Sequence, residues 1–299
     1  MDRYDDMVVF QLLARTGTIS AAAAELNVAP SAVSRRLKAL EDRLGVQLVQ
    51  RTTRKMTLTP SGEAYLAGAN SIVGQLDELE GNLQAGAGTL TGTIRMTAPL
   101  SFALMALPAV LDSFMRQHPG VVIDLHLSDS RVDLVAEGFD LALRIGELGN
   151  STLKARRLCG IEFALCASPK FLEQHGDIQT PDDLQGLPAC IYTGEVQGTI
   201  WRWRSPEGGE GQVQVQTIVK ANNGDILREL AIHHHGLVCS PRFILRPGLE
   251  AGTLIEPFAQ YSWGDTSLHA VYPPNDYMPA RLRALLDHLA DALKGGCSR

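Results

Sequence analysis

The chain has 299 residues, 45% of them hydrophobic and 20% charged, with a formal net charge of −6 at pH 7. That is too long for one typical domain, and its composition is that of a globular protein with material for more than one core. No apolar run reaches the ~18 residues of a membrane span and no basic, apolar leader opens the chain, so neither a bilayer protein nor a secreted one is expected.

Residues 2–15 read as an amphipathic helix with Met7, Phe10, Leu13 and Ala14 on one side. A short helix follows over Ser20–Leu26, with Thr18 as its N-cap, and Asn27-Val28 makes a turn. Four alanines in a row let another helix come close, as a helix-turn-helix requires. The next helix opens at Pro30, where the missing N–H costs nothing, and closes at Gly45. Val33, Leu37, Leu40 and Leu44 form its buried stripe. Pro30 and Ser31 stand at its front, and Ser31, Ser34, Arg35 and Lys38 lie on another face, suited to base edges in a major groove. Val49 to Thr59 then reads as a winged hairpin with Arg51, Thr53, Arg54 and Lys55 at phosphates. Residues 34–55 hold seven Lys/Arg against two acids, a net of +5. Phosphate binding needs such local charge, not a basic chain.

A long helix starts with Thr59 as N-cap and Pro60 at its first position. Tyr65, Ala69, Ile72, Leu76, Leu79 and Leu83 recur at steps of 4, 3, 4, 3 and 4, a heptad seam that points to pairing of two chains through residues 60–85. Glycines over 86–92 end the helix as a hinge.

From Thr93 strands and helices alternate. Strands are expected at Ile94–Ala98, Val121–Leu127 and Asp140–Ile145, with helices at Leu100–Gln117 and Val132–Glu137, a βαβαβ start for a parallel sheet. A second unit begins near residue 160. It has strands at Glu162–Ala167, Ala189–Thr193, Val213–Val219 and Leu237–Cys239, and helices opening at Pro169, Thr180 and Asp225. A strand over Leu268–Tyr272 and a helix over Pro279–Lys294 return to the first unit.

The N-terminal stretch resembles LysR-type transcriptional regulators. The match rests on Phe10, Ala14, Thr18-Ile19-Ser20-Ala21-Ala22-Ala23, Leu26-Asn27-Val28, Ser31-Ala32-Val33-Ser34-Arg35, Leu40-Glu41, Leu44-Gly45, Arg51-Thr52-Thr53-Arg54 and Leu58-Thr59-Pro60-Ser61-Gly62. Two residues depart from the pattern: Ala29 removes a side-chain cap from the recognition helix, and Val49 is smaller than the usual Phe. Leu107-Pro108, His118-Pro119, Asp140 to Gly146, Ala167-Ser168-Pro169, Asn222-Asn223-Gly224-Asp225 and Ser240-Pro241 extend the resemblance into the family's effector-binding region.

The resemblance implies an all-α winged helix-turn-helix domain (1–59), a dimerising linker helix and hinge (60–92), and an α/β effector domain (93–299). That last domain would hold two subdomains like those of periplasmic solute-binding proteins, about 93–161 with 266–299, and about 162–265, joined by two crossover strands. Ligands of open α/β sheets sit beyond the carboxyl ends of strands. Ser101, Phe102, Arg144, Thr193, Asn222, Asn223 and Ser240 are so placed. A guanidinium beside hydroxyls, amides and a helix start suits a small anionic effector. The implied partners are duplex DNA with inverted half-sites and further copies of the chain, as a dimer and then a tetramer.

The remaining candidates are read as structural. Consecutive histidines on a helix point about 100° apart, so His233-His234-His235 cannot converge on one metal. Trp201 and Trp203 read as edge-strand core, and Asp124, Asp129 and Asp133 as capping or solvated. The five cysteines form no Cys-x-x-Cys and are expected to be buried, inert thiols in a reducing cytoplasm. No nucleophile elbow, phosphate loop or zinc spacing is present, so neither enzyme chemistry nor a cofactor is expected.

Overall fold

The computed structural model describes residues 2–51, 56–85, 89–130, 132–149, 152–176, 178–194, 198–274 and 278–295; for residues 51, 77, 78 and 80–85 it describes the backbone alone. Three helices open the chain: α1 (Arg3–Thr16), α2 (Ile19–Glu25) and α3 (Pro30–Leu44). Thr18 caps α2 by accepting from the Ala21 N–H at 3.2 Å. Asn27 turns the chain with φ 58°, a left-handed conformation that asparagine tolerates. Ala22 and Ala23 are fully buried where α2 meets its neighbours. The Ala29 N-cap makes no side-chain hydrogen bond, and Gly45 closes α3 with φ 71°. Two expected apolar positions differ. Leu44 is 38% exposed. On α1, Val9 and Asp6 rather than Met7 join Phe10 and Leu13 among the buried residues.

β1 (Val49–Arg51) and β2 (Met56–Leu58) pair antiparallel, and the wing residues Thr53, Arg54 and Lys55 lie outside the described residues. α4 (Pro60–Ala85) follows. Its N-terminal half packs inside the chain: Leu66, Ala69 and Val73 are buried, and Tyr65 meets Phe10 edge to face. Ile72 and Leu79 are 50% and 59% exposed. The expected seam is thus split between an internal face and an outward one. The expected hinge is shortened from its far end, because β3 (Thr91–Ala98) already begins at Thr91; residues 86–88 lie outside the described residues.

The rest is two α/β lobes sharing one strand order. After β3 come α5 (Leu100–Gln117), β4 (Gly120–Leu127), β5 (Leu141–Ile145), β6 (Lys154–Cys166), α6 (Pro169–Gln174) and β7 (Pro188–Tyr192). A small antiparallel pair, β8 (Ile200–Arg204) and β9 (Glu210–Gln214), precedes β10 (Gln216–Ala221), α7 (Gly224–Ile232), β11 (Leu237–Pro241), α8 (Arg242–Glu250), β12 (Asp265–Tyr272) and α9 (Ala280–Leu293). The sheet order is β10-β7-β11-β6-β12-β5-β3-β4. β3, β4 and β5 run parallel, as do β7, β10 and β11. β6 and β12 run antiparallel to their neighbours and carry the chain between lobes. One core gathers Phe102, Phe114, Phe243 and the buried face of α9 against β3 and β5; a second packs Phe171, Trp201 and Trp263 around β7 and β11.

Four expectations are corrected. Residues 132–137 form a turn, not a helix: Asp133 accepts from the N–H groups of Val135 and Ala136, and Gly138 at φ 67° ends it. Those local bonds compete with a helix. The single strand expected at Val213–Val219 is two, because Val215 is buried at the corner between β9 and β10. The short segment after Thr180 is 3₁₀ rather than α-helical. Cys159 is disulfide-bonded instead of free. Cys166, Cys190 and Cys239 are buried thiols outside any disulfide, as expected.

Candidate DNA interface and effector cavity

α3 presents Pro30, Ser31, Arg35 and Lys38 to solvent, with Ser34 half-buried beside them. The neighbouring cations do other work. Arg36 pairs with Asp5 at 3.1 Å and Arg43 with the buried Asp6 at 2.9 Å, so both tie α3 to α1. The +5 patch is therefore smaller as a DNA-facing charge than as a sum. Glu41 is not a stray acid either: its Oε1 accepts from the backbone N–H groups of Leu48 and Val49 at 2.8 and 3.2 Å, fixing the first wing strand to the recognition helix. Thr59 accepts from Gly62 N and donates to Gln47 O. A Cβ on Gly62 would stand 2.0 Å from the Leu48 carbonyl oxygen, so the wing root needs glycine there. This is the close approach behind the Leu58 to Gly62 motif.

Between the lobes lies a cavity of about 840 Å³, and Ser101, Phe102, Arg144, Thr193, Asn222 and Ser240 all line it. Asn223 does not. It caps α7, accepting from Asp225 N at 3.0 Å, while its Nδ2 donates to Asp129 Oδ2 at 2.9 Å. Asp129 in turn takes the Leu100 N–H at 2.9 Å, so a carboxylate of the protein already sits at the start of α5. Ser101 is buried and donates to Asp225 Oδ2 at 2.5 Å; Arg228 holds the other oxygen of Asp225 at 2.8 Å. These bonds form a polar clasp from α5 and Asp129 in one lobe to the start of α7 in the other. The Ser101 hydroxyl and the Leu100 N–H, expected to await an anion, are each engaged by a carboxylate of the protein. Arg144 donates to the carbonyls of Ser130 and Val132 at 3.0 and 3.2 Å, bracing the cavity rim.

The walls that sequence reasoning missed are the apolar Phe163, Phe243, Ile244, Leu148, Leu153 and Tyr192 and the polar Ser128, Asp129, Ser130 and Glu147. Burial raises the Tyr192 hydroxyl's pKa, as does the nearby Asp129. The apolar lining carries no sequence signal that separates it from ordinary core. His234 holds φ 66° and shares a 2.8 Å hydrogen bond with the buried Ser168 hydroxyl, while His233 and His235 are exposed. No cluster of metal-ligating side chains occurs among the described residues.

The fold and site define a class: a helix-turn-helix DNA-binding module carried on a two-lobed, small-molecule-binding body. The comparisons agree over both halves. Residues 4–63 match the bacterial regulatory helix-turn-helix protein, lysR family, and residues 87–294 match the LysR substrate binding domain. The transcriptional regulator CrgA of Neisseria meningitidis serogroup C (strain 8013) is 31% identical over 97% of this chain and 96% of its own. A solved structure of CrgA from N. meningitidis superposes with TM-score 0.60 at 31% identity, covering 98% of this chain and 99% of that one. Full-length LysG from Corynebacterium glutamicum, solved with bound effector Arg, shares the fold at TM-score 0.65 and 19% identity, over 99% of each chain. The chain belongs to the LysR family of transcriptional regulators, which bind DNA and small-molecule effectors and assemble as oligomers.

Proposed function

We propose that this regulator reads an operator of inverted half-sites as a cytoplasmic homodimer joined through residues 60–85, assembling further as a tetramer, and that it acts on DNA rather than as an enzyme. In this reading residues 1–59 bind DNA, 60–92 join the subunits, and 93–299 sense the effector in lobes of about 93–161 with 266–299 and about 162–265. Pro30, Ser31, Ser34, Arg35 and Lys38 meet base edges and sugar-phosphate. Arg51, Thr53, Arg54 and Lys55 meet phosphates, whose charge dominates affinity.

The effector fills the cavity between lobes, contacting Phe102, Thr193, Asn222 and Ser240 over its apolar walls. Ser101 and Asn223 act indirectly, through the clasp. The effector's anionic group meets Arg144, because a guanidinium binds a carboxylate in paired charge-assisted bonds. The observation that carries this reading is the 840 Å³ cavity with Arg144 on one wall, joined by one chain to an outward-facing recognition helix. Two measurements test it. A gel shift with DNA upstream of the chain's own gene should show a salt-dependent specific complex. A thermal-shift screen of small carboxylates and their uncharged amides should raise the melting temperature for acids alone, and Arg144→Ala should cancel the rise. A rise for the amides and not the acids would remove the anion from the proposal.

A further inference from the structure

We propose that Arg281 is a positioning residue whose buried guanidinium, lodged between Gly74 of the linker helix and Gly92 of β3, sets the angle at which the linker meets the effector domain. The inference rests on the reading that the linker carries the DNA-binding domain. Arg281 belongs to the first turn of α9 and is only 7% exposed. Its Nε donates to the Thr93 carbonyl at 3.1 Å. Its Nη1 is buried with no hydrogen-bond partner among the described residues. A Cβ built on Gly92 would stand 3.4 Å from the guanidinium, and one on Gly74 would stand 3.8 Å from Nη2. Gly92 has φ 100°, which side-chain-bearing residues rarely adopt. Two glycines on different elements thus leave room for one planar cation, where β3 meets α4.

Burying a cation without full pairing is costly, so this arrangement has to be held by its surroundings. Two residues along β3 from Thr93 stands Arg95, which holds the half-buried carboxylate of Asp140. Asp140 Oδ2 accepts from Arg95 N at 2.9 Å, and Arg95 Nη1 donates to the carbonyls of Glu137 and Gly138, each at 3.0 Å. That same 132–138 turn supplies Val132 and Leu134 to the cavity wall. Arg281 is thus linked, through the Thr93 carbonyl and the backbone of β3, to the turn that lines the effector cavity. Such contiguity becomes coupling only if the far end has a position to change, and the α4–β3 junction is that element.

The test is a distance measurement in the full-length protein. Spin labels go on cysteines introduced at Ala67 and Ala292, exposed positions on α4 and past the middle of α9, with labelled protein diluted in unlabelled. The parent should give one narrow distance distribution. Arg281→Met should widen it about twofold, while the melting temperature of the effector domain changes little. Gly74→Leu raises helix propensity but drives a side chain into the guanidinium, and should shift or widen the distribution alike. An unchanged distribution in folded Arg281→Met or in Gly74→Leu overturns the proposal. If Arg281→Met does not fold, Gly74→Leu decides alone. DNA binding is not the readout, so a failure here leaves the regulator reading standing.

Discussion

Arg35 and Arg36 are neighbours in sequence with opposite tasks. Arg36 turns inward to Asp5, while Arg35 stays exposed with only a 3.4 Å contact from Nε to its own helix, at the Ser31 carbonyl. Charge can be summed from a sequence, but its direction depends on which side of α3 meets α1, and that is why the +5 patch overstated the DNA-facing charge. Arg35→Ala should lower the specific-to-nonspecific affinity ratio by ~1–3 kcal/mol in competition gel shifts, the value of a bidentate base contact. Arg36→Ala should leave that ratio in place, since an exposed pair contributes about 0–1 kcal/mol to stability and reads no base. The free thiols are a second residue-scale case. Burial pushes Cys166 up to about 12 and Cys190 up to about 11, so almost no thiolate exists at neutral pH. Both should stay unlabelled by iodoacetamide at pH 8 in the native protein and react in denaturant, as read by mass spectrometry. Spacing alone could argue only for inertness as a group, and it gave no sign that Cys159 stands apart.

Elements with a marked start and stop were legible: α3 runs between Pro30 and Gly45, and α5 ends before His118-Pro119 as expected. Those whose fate depends on distant packing were not. α8 was missed because Pro247 lies within a nine-residue helix and reads as a breaker. The corner at Val215 was missed because strand propensity continues through it. The apolar repeat along α4 does not name its partner: of the expected seam, Ala69 turns to the protein's own core beside Leu66 and Val73, and Ile72 and Leu79 turn out. Leu79→Asp should therefore cut the molar mass in light scattering to that of a smaller assembly without unfolding the chain, because a charge enters a seam that only another chain can cover. An unchanged mass would end the pairing role of that face. Glu41→Ala should weaken DNA binding by ~1–3 kcal/mol through loss of the two bonds to the wing root, with Glu41→Gln recovering most of it.

Across the whole molecule, the clasp decides how the lobes sit around the cavity. Asn223 does two jobs, capping α7 and reaching Asp129, and a pair of substitutions separates them. Asn223→Ala should cost about 1 kcal/mol of stability, the usual value of a lost cap. Asn223→Asp keeps the cap but sets a third carboxylate beside Asp129 and Asp225. It should open the cleft, seen as faster amide exchange at the start of α5. Two units were legible in the alternation of strands and helices, but the strands that join them came only from the family resemblance. Strand periodicity could not show that β6 serves both lobes, since most of its buried positions are consecutive rather than alternating.

That shared strand also records how such a chain can be cut and joined. β6 and β12 face each other from Lys154↔Tyr272 up to Glu162↔Asp265, and the Phe163 N–H reaches the Gly264 carbonyl at 3.1 Å. By chain path, everything from 164 to 263 hangs from the open end of that ladder like a bead on a closed loop of thread, with Phe243 and Ile244 reaching back into the first core. The second lobe is, in topological terms, an insertion at the tip of a β-hairpin, with its entry and exit side by side. Removing it leaves two strand ends that a tight turn can bridge, and a different bead of similar footing can take its place. New effector specificities can therefore arise in this architecture by exchanging one lobe, without rewiring the half of the sheet that faces the linker.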